Sequence, residues 1–304
     1  MPLLRRTHRP RRTHLPTRER IPTLTPAPEE ASTLLQAEIR LIGRLTEASN
    51  EVYLAALDSP ETPDRHGFVV YKPIRGERAL WDFPDGTLAG RETAAYLVDQ
   101  AAGWGLIPET ALRDGPAGPG SVQRWIGPLP TEDDHPTTAA EPTPVKVFPE
   151  QAFPDRGWHP VLHATLEDGT PLIIGHHDHP RLAAMAVLDA VLNNADRKGS
   201  HILTDRQGHI WAVDHGLSLH QEDKLRTILW GWQGKPLPAS HQEHLRRLRD
   251  SLHDTNPTGL RHTLSTLITT GEIHALTTRV DTLLSQAVYP TPPTHRHPVP
   301  WPPL

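Results

Sequence analysis

Two carboxylates, Asp196 and Asp214, bracket the stretch at residues 193–216, which reads NNADRKGSHILTDRQGHIWAVDHG. Inside it, two short apolar-rich runs, 201–204 and 209–214, are separated by Asp205-Arg206-Gln207-Gly208. That spacer has the composition of a tight turn, so the two runs read as a β-hairpin. A hairpin brings the chain back to where it left, which predicts Asp214 beside the loop that carries Asp196. Paired carboxylates at one end of a rigid element can hold a divalent cation and accept a proton in the same place. Taken singly, each is equally an ordinary polar residue at a strand end.

The elements that must position this pair are legible on either side. Residues 182–192 are apolar almost all round, which predicts a core helix running into the polar loop 193–200. Just before it, His176-His177-Asp178-His179 offers zinc-type ligands, with His159 and His163 upstream. Consecutive residues cannot all face one ion, however, and Pro180 suits the first turn of a helix. The run therefore reads as a helix cap rather than a metal site. Earlier in the chain, 41–45 and 52–57 read as strands around the turn 46–50, and 67–73 as a third strand with Lys72 near its end. Residues 88–102 have apolar positions at spacings near three and four, a helix with Glu92 in its first turns. Residues 106–112 and 121–126 read as two further strands across the Gly/Pro-rich turn 114–120. Residues 241–252 and 259–287 read as amphipathic helices.

In its order of motifs, the stretch 193–216 resembles the catalytic core of the phosphatidylinositol 3- and 4-kinase family. It is more similar still to uncharacterised bacterial kinase-like proteins related to that family. The residues carrying the likeness are Asp196-Arg197, matching the pair that opens the catalytic loop, and Asp214-His215-Gly216, matching the metal-binding motif one hairpin later. The resemblance implies an α+β, protein-kinase-like bilobal fold with a small β-rich N-lobe at 34–127 and a mainly α-helical C-lobe at 146–288. A Pro/Thr-rich insert or linker, 128–145, joins them.

The resemblance also implies roles. Asp196 would orient and deprotonate an acceptor hydroxyl, Asp214 would hold Mg²⁺, and Arg197 and Lys198 would offset charge on the moving phosphoryl group. Lys72 would meet the α- and β-phosphates with Glu92 as its partner, although a lone strand Lys also reads as surface, and Arg91 competes beside Glu92. Ser49 and Asn50 suit a turn that donates backbone N–H groups to phosphate. Gln123, Trp125 and Ile126 fall where the connector between lobes meets the base. The segment 74–84 is characteristic of the bacterial group. Through Arg75 or Arg78 it would act as a lid; alternatively, Trp81 and Phe83 pin it down. After Gly216, residues 217–238 correspond to an activation segment carrying Lys224, Arg226 and Lys235, with Trp230 and Trp232. Those Trp residues fit peripheral membrane contact or burial against a large lobe.

One departure stands out. The lipid kinases place an Asn where this chain has His201, and imidazole binds Mg²⁺ poorly. Either His201 accepts Mn²⁺, or Asn194 or Ser200 substitutes, or the second metal site is lost. The expected function is an ATP-dependent phosphotransferase acting on a hydroxyl of a lipid, protein or small molecule. A bacterial protein Ser/Thr kinase and a non-catalytic nucleotide-binding pseudokinase regulator are the alternatives.

Composition bounds the rest. The chain has 304 residues, enough for one two-lobed domain or two small ones. It has no Cys, which excludes disulfides, thiolate metal sites and a cysteine nucleophile, and fits a reducing, cytoplasmic setting. A net charge of −5 argues against a nucleic-acid binder. No apolar run reaches the roughly 20 residues needed to cross a bilayer. Residues 1–33 are rich in Arg, Pro and Thr and read as a disordered, solvated tail rather than a basic arm for lipid or nucleic acid. Arg5-Arg6 and Arg11-Arg12 lack the apolar region of an export signal. Residues 289–304 read as an extended Pro-rich tail.

Overall fold

The computed structural model describes residues 4–5, 34–45, 50–58, 67–129 and 143–304. Outside the described residues lie most of the N-terminal tail, the turn residues 46–49 with Ser49, and positions 130–142 of the expected insert. The chain divides into two compact units, one of residues 1–93 and 108–138, the other of 94–107 and 139–304. The architecture is α+β, rich in strands early and in helices later.

The first unit is built on an antiparallel sheet in the order β1-β2-β3-β4-β6-β5. Its strands are β1 (Leu4–Arg5), β2 (Glu38–Leu45), β3 (Tyr53–Asp58), β4 (Gly67–Pro73), β5 (Thr110–Gly115) and β6 (Gly118–Arg124). Side chains alternate across β4. Val69 and Tyr71 enter a core with Ile39, Ala55, Leu57 and Val122, while Phe68 and Val70 lie against Leu45, Val52 and Leu54. Lys72 therefore projects from the same face of β4 as Phe68 and Val70. Beneath it the strands approach closely, since a Cβ on Gly120 would come within 2.4 Å of the Lys72 carbonyl oxygen.

Helix α1 (Leu88–Ala102) begins in this unit. Its first turn is capped from a distance, because the Glu77 carboxylate accepts from the N–H groups of Leu88 at 3.1 Å and Ala89 at 2.9 Å. The strand expected at 106–112 starts later, at Thr110. Asp99 explains the shift: its carboxylate accepts from the N–H groups of Leu106 and Ile107, holding them in a loop. Burial pushes the Asp99 carboxyl up to about 6.

The second unit holds more helix than strand, and it also carries a sheet that the sequence did not announce. It opens with a three-stranded antiparallel sheet, order β7-β9-β8, of β7 (Val145–Pro149), β8 (Trp158–Thr165) and β9 (Pro171–His177). β8 is an edge strand with an irregular register between Pro160 and Leu162 and no clean burial alternation, so it carries no period-2 signal. Helix α2 (Pro180–Leu192) follows, with His179 at its N-cap accepting from the Arg181 N–H through Nδ1. A two-stranded hairpin pairs β10 (Ile202–Thr204) with β11 (Ile210–Ala212). Helices α3 (Ala239–His253), α4 (Leu260–Leu264) and α5 (Thr270–Gln286) complete the unit, α5 starting in a capping box between Thr269 and Glu272. Among the described residues, no helix is long and apolar enough to cross a membrane.

Candidate active site

In the second unit the polar loop after α2 is set by two asparagines. Asn193 ends the helix in the left-handed conformation, φ 53°. Its amide donates to the carbonyls of His220 and Glu222 and its oxygen accepts from the Lys224 N–H, pinning the segment that follows the hairpin. Asn194 is buried. It donates to Asp189 at 3.1 Å and accepts from the Asp196 N–H at 3.0 Å. Both ends of the amide of Asn194, one of the substitute metal ligands the sequence left open, are thus engaged within the loop. Ser200, the other substitute considered, is exposed.

Arg197 corrects a sequence expectation. Instead of facing a phosphoryl group, it is 0% exposed. Its guanidinium donates to both carboxylate oxygens of Asp189, to the carbonyls of His201 and Val213, and to Nε2 of His215. Thr227 adds its hydroxyl to Asp189 at 3.0 Å. Arg197 is thus a keystone that ties α2 to both chains at the open end of the hairpin. Sequence reasoning missed its partners, Asp189 and Thr227. The signal for Asp189 was a single carboxylate inside an otherwise apolar helix, which burial makes costly unless a cation meets it.

The hairpin places the remaining groups. Its register, Ile202↔Ala212 to Thr204↔Ile210, leaves His201 and Val213 at the open end, where the Val213 N–H donates to the His201 carbonyl. Asp214 follows immediately, with its backbone in the left-handed region at φ 61° and its side chain 49% exposed. His201 Nε2 lies 3.3 Å from Asp214 Oδ2, and Lys198 Nζ lies 3.1 Å from Asp196 Oδ2. Burial raises the Asp196 carboxyl and the Asp214 charge raises it further, while Lys198 pulls it down. Burial lowers His201, against the pull of the two carboxylates. The two acids and the imidazole thus act on one another electrostatically at one end of the hairpin.

This donor set suits a hard divalent cation, which takes one or two carboxylates and completes its shell with phosphate and water. Among the described residues, no group of three or more His, Asp or Glu side chains is arranged to hold a metal by itself.

In the first unit the structure brings Lys72 and Glu92 together as an ion pair, with Glu92 buried. Asn50 accepts from the Arg78 N–H at 3.0 Å, and the Glu51 N–H donates to the Gly76 carbonyl, which ties the segment 74–78 to the end of the first turn. Of the two aromatics expected to pin the segment, Phe83 is buried but Trp81 is 93% exposed. Arg91, which competed as a surface charge, is buried with its guanidinium over the Phe83 ring. Gln123 is buried and donates to Thr110, while the Trp125 indole donates to the carbonyls of Gly127 and Pro128. Ile126 follows outside any strand, half-buried.

Residues 179–268, which span the loop, hairpin and following segment, match the family model described as phosphatidylinositol 3- and 4-kinase. Protein Rv2133c of Mycobacterium tuberculosis (strain ATCC 25618 / H37Rv) is 44% identical over 280 residues, which cover 92% of this chain and 97% of that one. The chain belongs to a bacterial family related to the phosphatidylinositol 3- and 4-kinases. Within this kinase-related family the matched stretch carries Asp196, Lys198, His201 and Asp214, while Lys72 and Glu92 precede it. The segment after Asp214 is irregular rather than helical, and Ile228, Leu229, Trp230 and Trp232 are buried in the second unit. Trp230 and Trp232 are therefore core residues, not a membrane-resting face.

Proposed function

We propose that this kinase-related chain is an ATP-dependent phosphotransferase with a bilobal kinase-like fold, acting on a hydroxyl acceptor in the cytoplasm. The observation that carries the reading is the coupling of Asp196, Lys198, His201 and Asp214 at one hairpin end inside the stretch that matches the kinase family. Asp196 orients the acceptor hydroxyl and takes its proton; its raised carboxyl makes it a better base than an ordinary aspartate. Lys198 holds the Asp196 carboxylate and lies beside the transferred charge. Lys72, kept extended by Glu92, neutralises the α- and β-phosphates. Gln123, Trp125 and Ile126 flank the base. Asp214, with His201 against it, would hold Mg²⁺ or Mn²⁺, which supplies charge neutralisation on the phosphates when bound.

Labelled ATP added to a cell extract with wild-type or Asp196→Ala protein tests this reading and sorts lipid, protein and small-molecule acceptors. Label dependent on Asp196 is expected; identical labelling by the two proteins would sink the proposal. A second reading, a nucleotide-binding regulator without turnover, is favoured by His201 standing against Asp214. ATP binding in the absence of any transfer would select it.

A further inference from the structure

Residues 289–304, an extended Pro-rich tail by composition, are fastened along the second unit from the activation segment to the catalytic loop. Tyr289 donates its N–H to the Lys235 carbonyl at 2.9 Å and accepts from the Gly234 N–H at 3.1 Å. Arg296 forms an ion pair with Asp223, 2.9 Å between Nη2 and Oδ1. The Pro298 carbonyl accepts two bonds, from the Thr227 N–H and from the Trp230 indole, both at 3.0 Å. The Pro303 carbonyl then accepts from the Gly199 N–H at 2.8 Å.

These anchor points coincide with the loop machinery. Gly199 follows Lys198, the partner of Asp196, and opens the turn that leads to His201. Thr227 is bridged to Arg197 and gives its hydroxyl to Asp189. The fit at Gly199 is close: a Cβ there would stand 2.8 Å from Leu304 Cδ2 and 3.2 Å from Val145 Cβ. A Pro-rich chain suits the task, because it has few N–H donors of its own, presents carbonyls outward and loses little entropy on docking.

We propose that residues 296–304 are a positioning strap for the catalytic loop, with the Pro303 carbonyl fixing the Gly199 end and the Pro298 carbonyl fixing the stretch bridged to Arg197. The kinetic consequence rests on the phosphotransferase reading; the mechanical one does not. A truncation that removes residues 302–304 deletes the Gly199 acceptor but leaves Pro298 in place. Pro303→Ala keeps the carbonyl and serves as the conservative variant.

Amide hydrogen exchange at Gly199, ATP turnover and ATP affinity are measured on wild type and both variants. The truncation is expected to speed Gly199 exchange and to lower kcat about tenfold, the worth of about one hydrogen bond, with ATP Kd unchanged. Pro303→Ala is expected to change none of these. Unchanged Gly199 exchange in the truncation overturns the strap, and faster exchange with full kcat overturns its part in positioning. If the intact protein turns over no ATP, the phosphotransferase reading fails, while faster Gly199 exchange still upholds the mechanical role and unchanged exchange still rejects it.

Discussion

The ion pair of Asp189 and Arg197 ties the loop that follows α2 back to that helix. Both side chains are fully buried, and no solvent is available to either charge if the other is lost. Breaking such a pair from one side costs about 3–5 kcal/mol, because the survivor is left uncompensated. Asp189→Asn is therefore expected to lower unfolding free energy by an amount in that range, read by chemical denaturation. A loss below about 1 kcal/mol would mean that the loop is held elsewhere. His176 offers a residue-scale test against pH. Its Nε2 accepts from the Gly231 N–H, and burial lowers the ring from the ordinary 6.5 to about 4. The unfolded chain then binds a proton that the native one refuses, so stability is full above pH 6.5 and falls as pH drops toward about 4. The loss amounts to about 3 kcal/mol at most. Denaturation midpoints measured from pH 7 to pH 4 should fall less steeply in His176→Gln than in wild type.

Among the elements, helices and the hairpin were legible, and a sheet was not. Helix α1 was expected at 88–102 and runs from Leu88 to Ala102, because its apolar spacing is regular. The hairpin was legible from its turn, where Asp205 accepts from the Gln207 and His209 N–H groups. The sheet of β7, β8 and β9 escaped because its central strand is flanked by edge strands containing Pro149 and Pro160, whose burial is irregular. The cap on α1 was equally unreadable, since Glu77 reaches the helix across an intervening loop and matches no local capping pattern. Glu77→Ala should cost about 1 kcal/mol of stability, the usual worth of a helix cap, with Glu77→Gln losing less. Equal stability of the alanine variant and wild type would show that water replaces the carboxylate.

At the scale of the whole molecule, candidate residues were legible where they sit in a short motif, and their burial was not. Asp196, Lys198 and Asp214 could be picked out by their order along the chain, whereas Arg197 belonged to the same motif and turned inward. Its exposure depends on Asp189 and Thr227, which no local spacing connects to it. Binding of nucleotide should register across the folded chain. Mg²⁺ and ATP at about one hundred times Kd are expected to add about 2.7 kcal/mol of stability. That increment should vanish with a chelator and be absent in Asp214→Ala; a shift that survives both would place the nucleotide away from Asp214.

The backbone at Asp214 refines that last comparison. A non-glycine residue with φ 61° occupies a region that Asn and Asp enter readily and that Ala and β-branched residues resist. Alanine therefore removes a carboxylate and perturbs the turn in one step. Asparagine removes the charge alone, so the difference between the two variants measures how much of the site's output depends on chain direction after β11 rather than on negative charge.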